Sequence, residues 1–329
     1  MIISKTPLRI SFVGGGTDLS SFYAKDFGSV LSSTVDKYVY VIIKARFDDL
    51  IYINWTKKER VSSPDEIEHD LVRETLKKAG IEKGVEITTL ADIPSEGSGL
   101  GSSSSLTVGL LNAFYAFKGI QVSTERLARE ACEIEIDILG KPIGKQDQYA
   151  AAFGGLNEIL FYKDQSVKIN KIKIPNDKLR ILGSNLLLFY TDITRKSDPI
   201  LSKQKEKTES IFNTLEIMRN QVPILKKHLE NGKNDFLGYT LKQAWELKKS
   251  LLSSISNEKI DEMYTKALNA GAYGGKICGA GGGGFLLIYV PREKQNQVRK
   301  ALEGYREVPF MLDKYGSRII FNQMSDYWR

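Results

Sequence analysis

The sequence has few of the residues that build disulfides, histidine metal sites or membrane spans. Its 329 residues include two cysteines, Cys132 and Cys278, which give neither a disulfide framework nor a metal-ligand spacing. Together with a start that does not resemble a signal peptide, they favour a reducing, cytoplasmic location. The two histidines, His69 and His228, lie among charged residues, which argues against a Ser-His-Asp triad. The apolar run at residues 285–290 is far too short to cross a bilayer, so we expect no membrane role.

The charge balance is mildly basic. The chain carries 47 basic and 40 acidic residues, a formal net charge of +7, and the excess is spread along the sequence. Such a surface suits an anionic small molecule as well as a nucleic acid. No basic block or aromatic RNA-binding motif stands out, so we expect a small-molecule partner and no nucleic acid. The length predicts one large domain or two medium ones, and the sequence leaves a monomer and a homodimer both open.

The most informative stretch is the glycine- and serine-rich segment at residues 94–105. Gly97, Gly99 and Gly101 alternate with other residues, and four serines follow. Leucines and phenylalanines then recur at near-helical spacing, which predicts a loop that opens directly onto a buried helix. Glycine allows close approach and a helix N-terminus attracts anions, so the segment predicts a phosphate site. The alternative is a serine-rich linker, because the segment lacks the Lys-Ser/Thr ending of the common phosphate loop and the dinucleotide-binding spacing.

Two further glycine-rich loops flank this segment in the chain. The first, at residues 14–18, interrupts a strand-like region with three consecutive glycines. It is either a tight turn or a loop that presents Asp18 to the hydroxyl groups of a ligand. The other, at residues 274–284, lies between apolar strand-like residues. That setting favours a loop packed against another backbone or a ligand over a flexible linker.

Two acidic residues are candidate functional residues. Both lie near residues 140–144, a glycine- and proline-containing segment that breaks the predicted helix. Asp147 precedes an alanine-rich run and is either a partly buried base or a helix N-cap. Glu135 lies one turn before the break, whereas the neighbouring carboxylates suit a solvated helix face. Arg195 and Lys196 follow a predicted strand, and they either meet an anionic group of a substrate or form an exposed basic turn.

The second half of the chain is predicted to be mainly helical. A long charged helix is expected over residues 200–230, with Pro223 kinking or dividing it.

Three glycine-rich loops in this order resemble the three motifs of the GHMP small-molecule kinases. The motifs are residues 6–18, 94–105 and 276–284, and the resemblance extends over essentially the whole chain. It implies an α+β fold of two domains, an N-terminal ATP-binding domain at residues 1–180 and a C-terminal α+β domain at residues 181–329. The active site would lie in the cleft between them.

The resemblance also implies roles for individual residues. Asp147 matches the catalytic aspartate, and Arg9 matches the first-motif arginine near the catalytic centre. Glu135 matches the glutamate that binds Mg²⁺, and Ser103 would share the metal. The ATP phosphates would contact Gly97, Ser98, Gly99, Leu100, Gly101, Ser102, Ser103 and Ser104. The substrate would contact Gly15, Gly16, Thr17, Asp18, Arg195, Gly281 and Gly282.

Within the family, residues 14–18 with Phe22-Tyr23, and residues 144–149, look most like the D-glycero-D-manno-heptose 7-phosphate kinases. This implies an ATP- and Mg²⁺-dependent sugar kinase that phosphorylates the anomeric hydroxyl to give the 1,7-bisphosphate, for nucleotide-activated heptose synthesis. Two alternatives stay open. One is a GHMP kinase for another acceptor, such as fucose, galactose or mevalonate. The other is a nucleotide-binding sensor without catalysis, although the presence of both Asp147 and Glu135 argues against it.

Overall fold

The computed structural model describes residues 1–93, 97–195 and 197–323. The predicted positions Pro94, Ser95, Glu96 and Lys196 lie outside the described residues. The strands within those ranges are β1 (Ile2–Val13), β2 (Gly28–Ala45), β3 (Ile51–Asn54), β4 (Lys58–Val61), β5 (Val85–Ala91), β6 (Leu156–Phe161), β7 (Val167–Lys171), β8 (Leu186–Tyr190), β9 (Gly274–Ile277), β10 (Phe285–Tyr289), β11 (Leu312–Asp313) and β12 (Arg318–Asn322). The helices are α1 (Ser20–Tyr23), α2 (Asp70–Ala79), α3 (Ser102–Phe117), α4 (Thr124–Cys132), α5 (Gln146–Phe153), α6 (Asn176–Ser184), α7 (Asp198–Glu206), α8 (Phe212–Glu230), α9 (Phe236–Leu251), α10 (Glu258–Asn269) and α11 (Gln295–Ala301). A π-helical segment, Glu133–Ile138, continues α4.

One mixed sheet is built mainly by the first half of the chain. Its strands follow the order β12-β1-β2-β5-β3-β4, and β6 and β11 also pair with β2. The 18-residue β2 can do this because its first part pairs with β6 and its second part with β5. Strand β12 returns from the end of the chain to pair with β1, so residues 318–322 belong to this sheet. The domain boundary at residue 180 stays a prediction.

A second sheet, of three antiparallel strands, belongs to the other half of the chain. Its order is β8-β10-β9. One apolar cluster joins it to the first sheet and contains Leu8 of β1, Leu188 of β8, Leu287 of β10 and Leu241 of α9, all buried. Each fully buried leucine stabilises the fold by roughly 1.5–3 kcal/mol relative to its exposed state. The two halves are therefore held against each other by a shared core.

The buried helix predicted after the glycine- and serine-rich segment is α3. Leu110, Leu111 and Phe114 have no exposed surface. The helix is apolar on most sides because it packs on β1 and β2 and also contacts α2 and α5. It begins at Ser102, so the serines form its first turn and its N-terminus lies directly beside the glycines. No helix in the described ranges is both long and apolar enough to cross a membrane.

The long helix predicted over residues 200–230 is instead two helices, and Pro223 does not divide them. The break lies at residues 207–211, between α7 and α8, and Pro223 lies inside α8. The hydroxyl of Thr208 donates to the carbonyl oxygens of Gln204 and Lys205, an interaction that competes with helix continuation. Gln204, near the end of α7, packs against Gly16 of the first glycine loop.

Candidate active site

A cavity of about 210 Å³ lies where the three glycine loops meet, lined from both halves of the chain. The predicted residues that line it are Arg9, Gly15, Gly16, Asp18, Gly97, Ser98, Gly99, Gly101, Ser102, Ser103, Ser104, Glu135, Asp147 and Arg195. Residues predicted to bind ligand but absent from its lining are Thr17, Leu100, Gly281 and Gly282. Leu100 and Thr17 have no exposed surface. Gly281 packs on Ile255, and Gly282 lies beside the Arg195 side chain.

Thr17 and Leu100 position the loops that carry them. The hydroxyl of Thr17 donates to the carbonyl oxygens of Gly14 and Ser29 at 2.8 and 3.0 Å, which ties the first loop to β2. The carbonyl oxygen of Leu100 accepts a hydrogen bond from the backbone N–H of Arg9 at 2.9 Å. Strand β1 therefore holds the loop before α3 in place.

The candidate phosphate loop, residues 97–101, alternates glycines in the left-handed backbone region with buried residues. Gly97, Gly99 and Gly101 have φ angles of +70°, +73° and +78°, which side chains rarely tolerate. Ser98 caps the turn from within, because its hydroxyl lies 3.0 Å from that of Ser102 and accepts from the N–H of Leu100 at 3.3 Å. The first N–H groups of α3 have no partner inside the helix, and such groups can bind an anion at the cavity.

The second and third glycine loops are in backbone contact. A β-carbon on Gly99 would lie 2.5 Å from the carbonyl oxygen of Cys278. One on Gly279 would lie 2.6 Å from the Cα of Gly99. Neither position has room for a side chain. The third loop therefore supports the phosphate loop from the C-terminal half, as the family resemblance implies.

Asp147 and Arg9 form a bidentate pair at the cavity. Asp147 lies in the first turn of α5, and its two carboxylate oxygens accept from the Nε and Nη2 of Arg9 at 2.7 and 2.6 Å. The Nη1 of Arg9 donates to the carbonyl oxygen of Gly99 at 2.6 Å. Asp147 is therefore not the N-cap of its helix. One guanidinium group orients the carboxylate and joins it to the phosphate loop.

Glu135 lies in the π-helical segment beside the start of α3. Its Oε2 accepts from the hydroxyls of Ser103 and Ser104 at 3.3 and 3.1 Å, while its Oε1 is buried without a hydrogen-bond partner. Burial raises the pKa of this carboxyl group to about 7, although the positive charge of Lys141 lowers it. A buried carboxylate oxygen without a hydrogen-bond donor is stabilised when a proton or a cation binds it.

The oxygen donors around Glu135 fit Mg²⁺. Within the described ranges, no group of three or more His, Cys, Asp or Glu side chains is arranged to hold a metal ion. Mg²⁺ does not need such a group when it is bound with a nucleotide, because it takes one or two carboxylates plus substrate phosphates and keeps several waters. The unpartnered Oε1 of Glu135 and the hydroxyl of Ser103 can supply the protein ligands.

Asp18 is held in the cavity wall by backbone groups. It is buried, and Oδ1 accepts from the N–H of Gly16 at 3.0 Å. A β-carbon on Gly144 would lie 2.0 Å from its Oδ2, so the second glycine of the break at residues 140–144 leaves room for the carboxyl group. Burial, together with the negative charge of Asp147, raises the pKa of Asp18 to about 6.

Several residues of the cavity lining were not predicted from the sequence, among them Gln204, Lys248 and Lys276. Lys276 belongs to the third glycine motif, and Gln204 and Lys248 come from α7 and α9. Lys248 could have been found from the sequence pattern, because it falls on the apolar stripe of α9. The stripe is Leu241, Ala244, Trp245, Lys248 and Leu251, all buried. A lysine in line with such residues indicates a buried cation.

The two halves of the chain match two models of one family. Residues 68–155 match the model described as GHMP kinases N terminal domain, and residues 225–307 match GHMP kinases C terminal. The chain is 32% identical to a D-glycero-alpha-D-manno-heptose 7-phosphate kinase of Campylobacter jejuni, over 92% of this chain and 94% of the relative. It is 27% identical to a galactokinase of Pyrococcus furiosus, over 92% of each chain.

A solved structure extends the likeness to the whole fold. A D-glycero-D-manno-heptose 1-phosphate kinase from Bacteroides thetaiotaomicron superposes with a TM-score of 0.82 at 28% identity, over 99% of this chain and 100% of the other. The fold and the cavity thus define a small-molecule kinase, a phosphotransferase with ATP as the phosphate donor and an alcohol group as acceptor. The chain belongs to the GHMP kinase family, and within it to the sugar kinases.

Proposed function

We propose that the protein transfers the γ-phosphate of ATP to the anomeric hydroxyl of D-glycero-D-manno-heptose 7-phosphate, giving the 1,7-bisphosphate for nucleotide-activated heptose synthesis. The names of two relatives support a heptose phosphate substrate, although they differ in the position of its phosphate. The observation that carries the proposal is the Arg9–Asp147 pair, which lies beside the N-terminus of α3. A carboxylate that could act as the base therefore lies next to the candidate phosphate site.

The donor end of the cavity would be formed by the N-terminal half. The N–H groups of Gly97–Ser104 would bind the phosphates of ATP, and Glu135 with Ser103 would hold Mg²⁺. When bound, Mg²⁺ neutralises charge on the β- and γ-phosphates. Phosphoryl transfer depends mainly on such positioning and charge neutralisation.

The acceptor end would be formed around Asp147 and the first glycine loop. Asp18, with Gly15 and Gly16, would orient the sugar through its hydroxyl groups. Asp147 would accept the proton of the anomeric hydroxyl as that oxygen bonds to the γ-phosphorus and the bond to ADP breaks. Arg9 contacts both carboxylate oxygens, so the base has one orientation relative to the phosphate loop. It thereby limits the positions from which the acceptor can attack.

Asp147→Asn tests the role of the base. We expect it to bind ATP as the wild type does and to lose about 10²- to 10⁴-fold in kcat, the usual contribution of general-base catalysis. Asp137→Asn, which changes an exposed carboxylate of the π-helical segment, is the matched control and should keep full activity. Near-normal turnover by Asp147→Asn would remove Asp147 from the mechanism.

A substrate panel tests the acceptor. ADP release is measured with ATP and Mg²⁺ for heptose 7-phosphate, the unphosphorylated heptose, fucose, galactose and mevalonate. We expect the highest kcat/KM with heptose 7-phosphate. A higher kcat/KM with one of the others would assign the protein to that acceptor, and ATP binding without any turnover would favour the sensor. The cytoplasmic location and the choice between monomer and homodimer stay predictions.

A further inference from the structure

Three cations from the C-terminal half line the same cavity. Arg195 follows β8, Lys248 lies on α9 and Lys276 lies on β9. Lys248 is 7% exposed and Lys276 is 4% exposed. The mechanism above uses neither lysine. Two buried ammonium groups in a ligand cavity therefore lack a role.

Among the residues that the structure describes, each lysine has a backbone partner but no carboxylate partner. The Nζ of Lys248 donates to the carbonyl oxygen of Gly279, and the Nζ of Lys276 donates to that of Ser11 at 2.8 Å. Within the described part of the chain, the charges that act most strongly on Lys248 include Lys276 and Arg195, which repel it. Burial and this repulsion hold the pKa of Lys248 well below its usual range, and burial lowers that of Lys276 to about 8.

A purely structural role accounts for the contacts but not for the charges. Each ammonium group has three donors, and a single carbonyl oxygen satisfies one of them. A neutral side chain could bind the same carbonyl oxygen without the desolvation penalty of a buried cation, which amounts to several kcal/mol. The remaining donors of the two lysines can therefore bind an anion from solution.

The N-terminal half already supplies positively charged and N–H donor groups at the proposed donor site. The N-terminus of α3 faces the cavity, and Lys141 lies with its Nζ 3.5 Å from the hydroxyl of Ser103, beside the candidate Mg²⁺ ligands. Lys248 and Lys276 come from the other half of the chain. Their positive charge is additional to that of the donor-site groups. A phosphate group on the acceptor, besides the phosphates of ATP, would require such additional charge.

We propose that Lys248 and Lys276 bind the phosphate ester that the sugar substrate already carries, so that α9 and β9 select a sugar phosphate over a neutral sugar. This inference rests on the proposed function of the cavity, and it assigns a subsite that the glycine motifs do not contain. Arg195, which lies between the phosphate loop and the third loop, is the third cation of this wall.

Lys248→Met is the test variant, because methionine is of similar length, apolar and adaptable. Binding of heptose 7-phosphate and of the unphosphorylated heptose is measured by calorimetry with a saturating non-hydrolysable ATP analogue. We expect the affinity for the phosphorylated sugar to fall about 10- to 100-fold, the effect of losing a charged hydrogen bond, and that for the neutral sugar to change less than threefold. Lys249→Met, which changes the next residue on α9, paired with Glu246 at the surface, should change neither.

Two outcomes would overturn the subsite. An equal loss of affinity for both sugars, together with a lower melting temperature, would show that Lys248 is structural, since removal of an unneeded buried charge should not destabilise the free protein. A raised KM for ATP with unchanged affinity for the sugar phosphate would assign Lys248 to the donor.

Binding of inorganic phosphate tests the subsite independently of the proposed function, because this measurement requires no turnover. With the ATP analogue occupying the donor site, it should bind the wild type at least tenfold more tightly than Lys248→Met. Equal binding overturns the subsite whatever the substrate panel shows. Binding that depends on Lys248, together with no turnover of heptose 7-phosphate, overturns the proposed acceptor and supports a subsite for another phosphorylated sugar.

Discussion

Arg9→Lys tests whether the orientation of Asp147, and not only a nearby positive charge, supports turnover. The Arg9 guanidinium donates to both oxygens of Asp147 at 2.7 and 2.6 Å and to the carbonyl oxygen of Gly99 at 2.6 Å. Arg9 is 4% exposed and Asp147 is 22% exposed. A lysine keeps the charge, but its single nitrogen cannot match the planar fork that reaches both carboxylate oxygens.

The expected loss follows from the bonds that lysine cannot make. A hydrogen bond to a charged group contributes about 1.5–3 kcal/mol, and the partial exposure of Asp147 favours the lower end. Loss of one such bond in the transition state corresponds to a decrease in kcat of about 10- to 100-fold. Because Arg9 also binds the phosphate loop through Gly99, we expect a smaller rise in the KM for ATP.

The assay is steady-state ADP release, with urea unfolding measured on the same protein samples. Arg46→Lys is the matched control, because Arg46 makes the same two-bond pair with Asp48 at 2.8 and 2.7 Å, outside the cavity lining. It should leave kcat and the KM for ATP unchanged. A kcat within threefold of the wild type for Arg9→Lys would refute the argument that bidentate orientation of the base matters.

Two further predictions concern the glycine loops. Asp18 has a raised pKa of about 6 against an ordinary 3.8, so the folded state holds its proton longer than the unfolded chain does. The free energy of unfolding of the unliganded protein should therefore fall as the pH rises from about 4 to about 6. Urea titrations at several pH values should show a smaller decrease for Asp18→Asn than for the wild type. An equal decrease in both proteins would contradict the raised pKa of Asp18. Gly99→Ala would place a β-carbon 2.5 Å from the carbonyl oxygen of Cys278, and should raise the KM for ATP at least tenfold. The control is Gly119→Ala, at φ +70° with open space around it, which should lower stability by ~1 kcal/mol and leave the kinetics unchanged; equal KM values for the two variants would show that the loop contact does not shape the nucleotide site.

The glycine loops could be predicted because their requirements are local. Gly97, Gly99 and Gly101 each adopt a positive φ, and glycine is the residue that does so without strain. The apolar spacing after them predicted α3, whose Leu110 and Phe114 are buried. Backbone conformation and periodicity are properties of short segments, so they can be inferred from the order of the residues.

The break between α7 and α8 shows where local reasoning failed. Pro223 was expected to kink or divide a helix over residues 200–230, and α8 continues past it undivided. The division at residues 207–211 lies in a charged stretch without proline or glycine. A side-chain hydrogen bond from Thr208 and the packing of Gln204 against Gly16 accompany it. The second of these interactions depends on a segment almost 190 residues away in the chain.

The sequence by itself determined the family and the three loops and indicated Asp147 and Glu135 as candidate acids, because these inferences depend on residue types at short spacings. Only the tertiary structure decided which groups meet. Arg9 and Asp147 are 138 positions apart, and their pairing depends on how β1 packs beside α5. The tertiary structure also decided that Lys248 and Lys276 share one cavity, where no carboxylate of the described ranges pairs with them. Contacts between distant segments depend on the packing of whole sheets and helices, which no short stretch of sequence encodes.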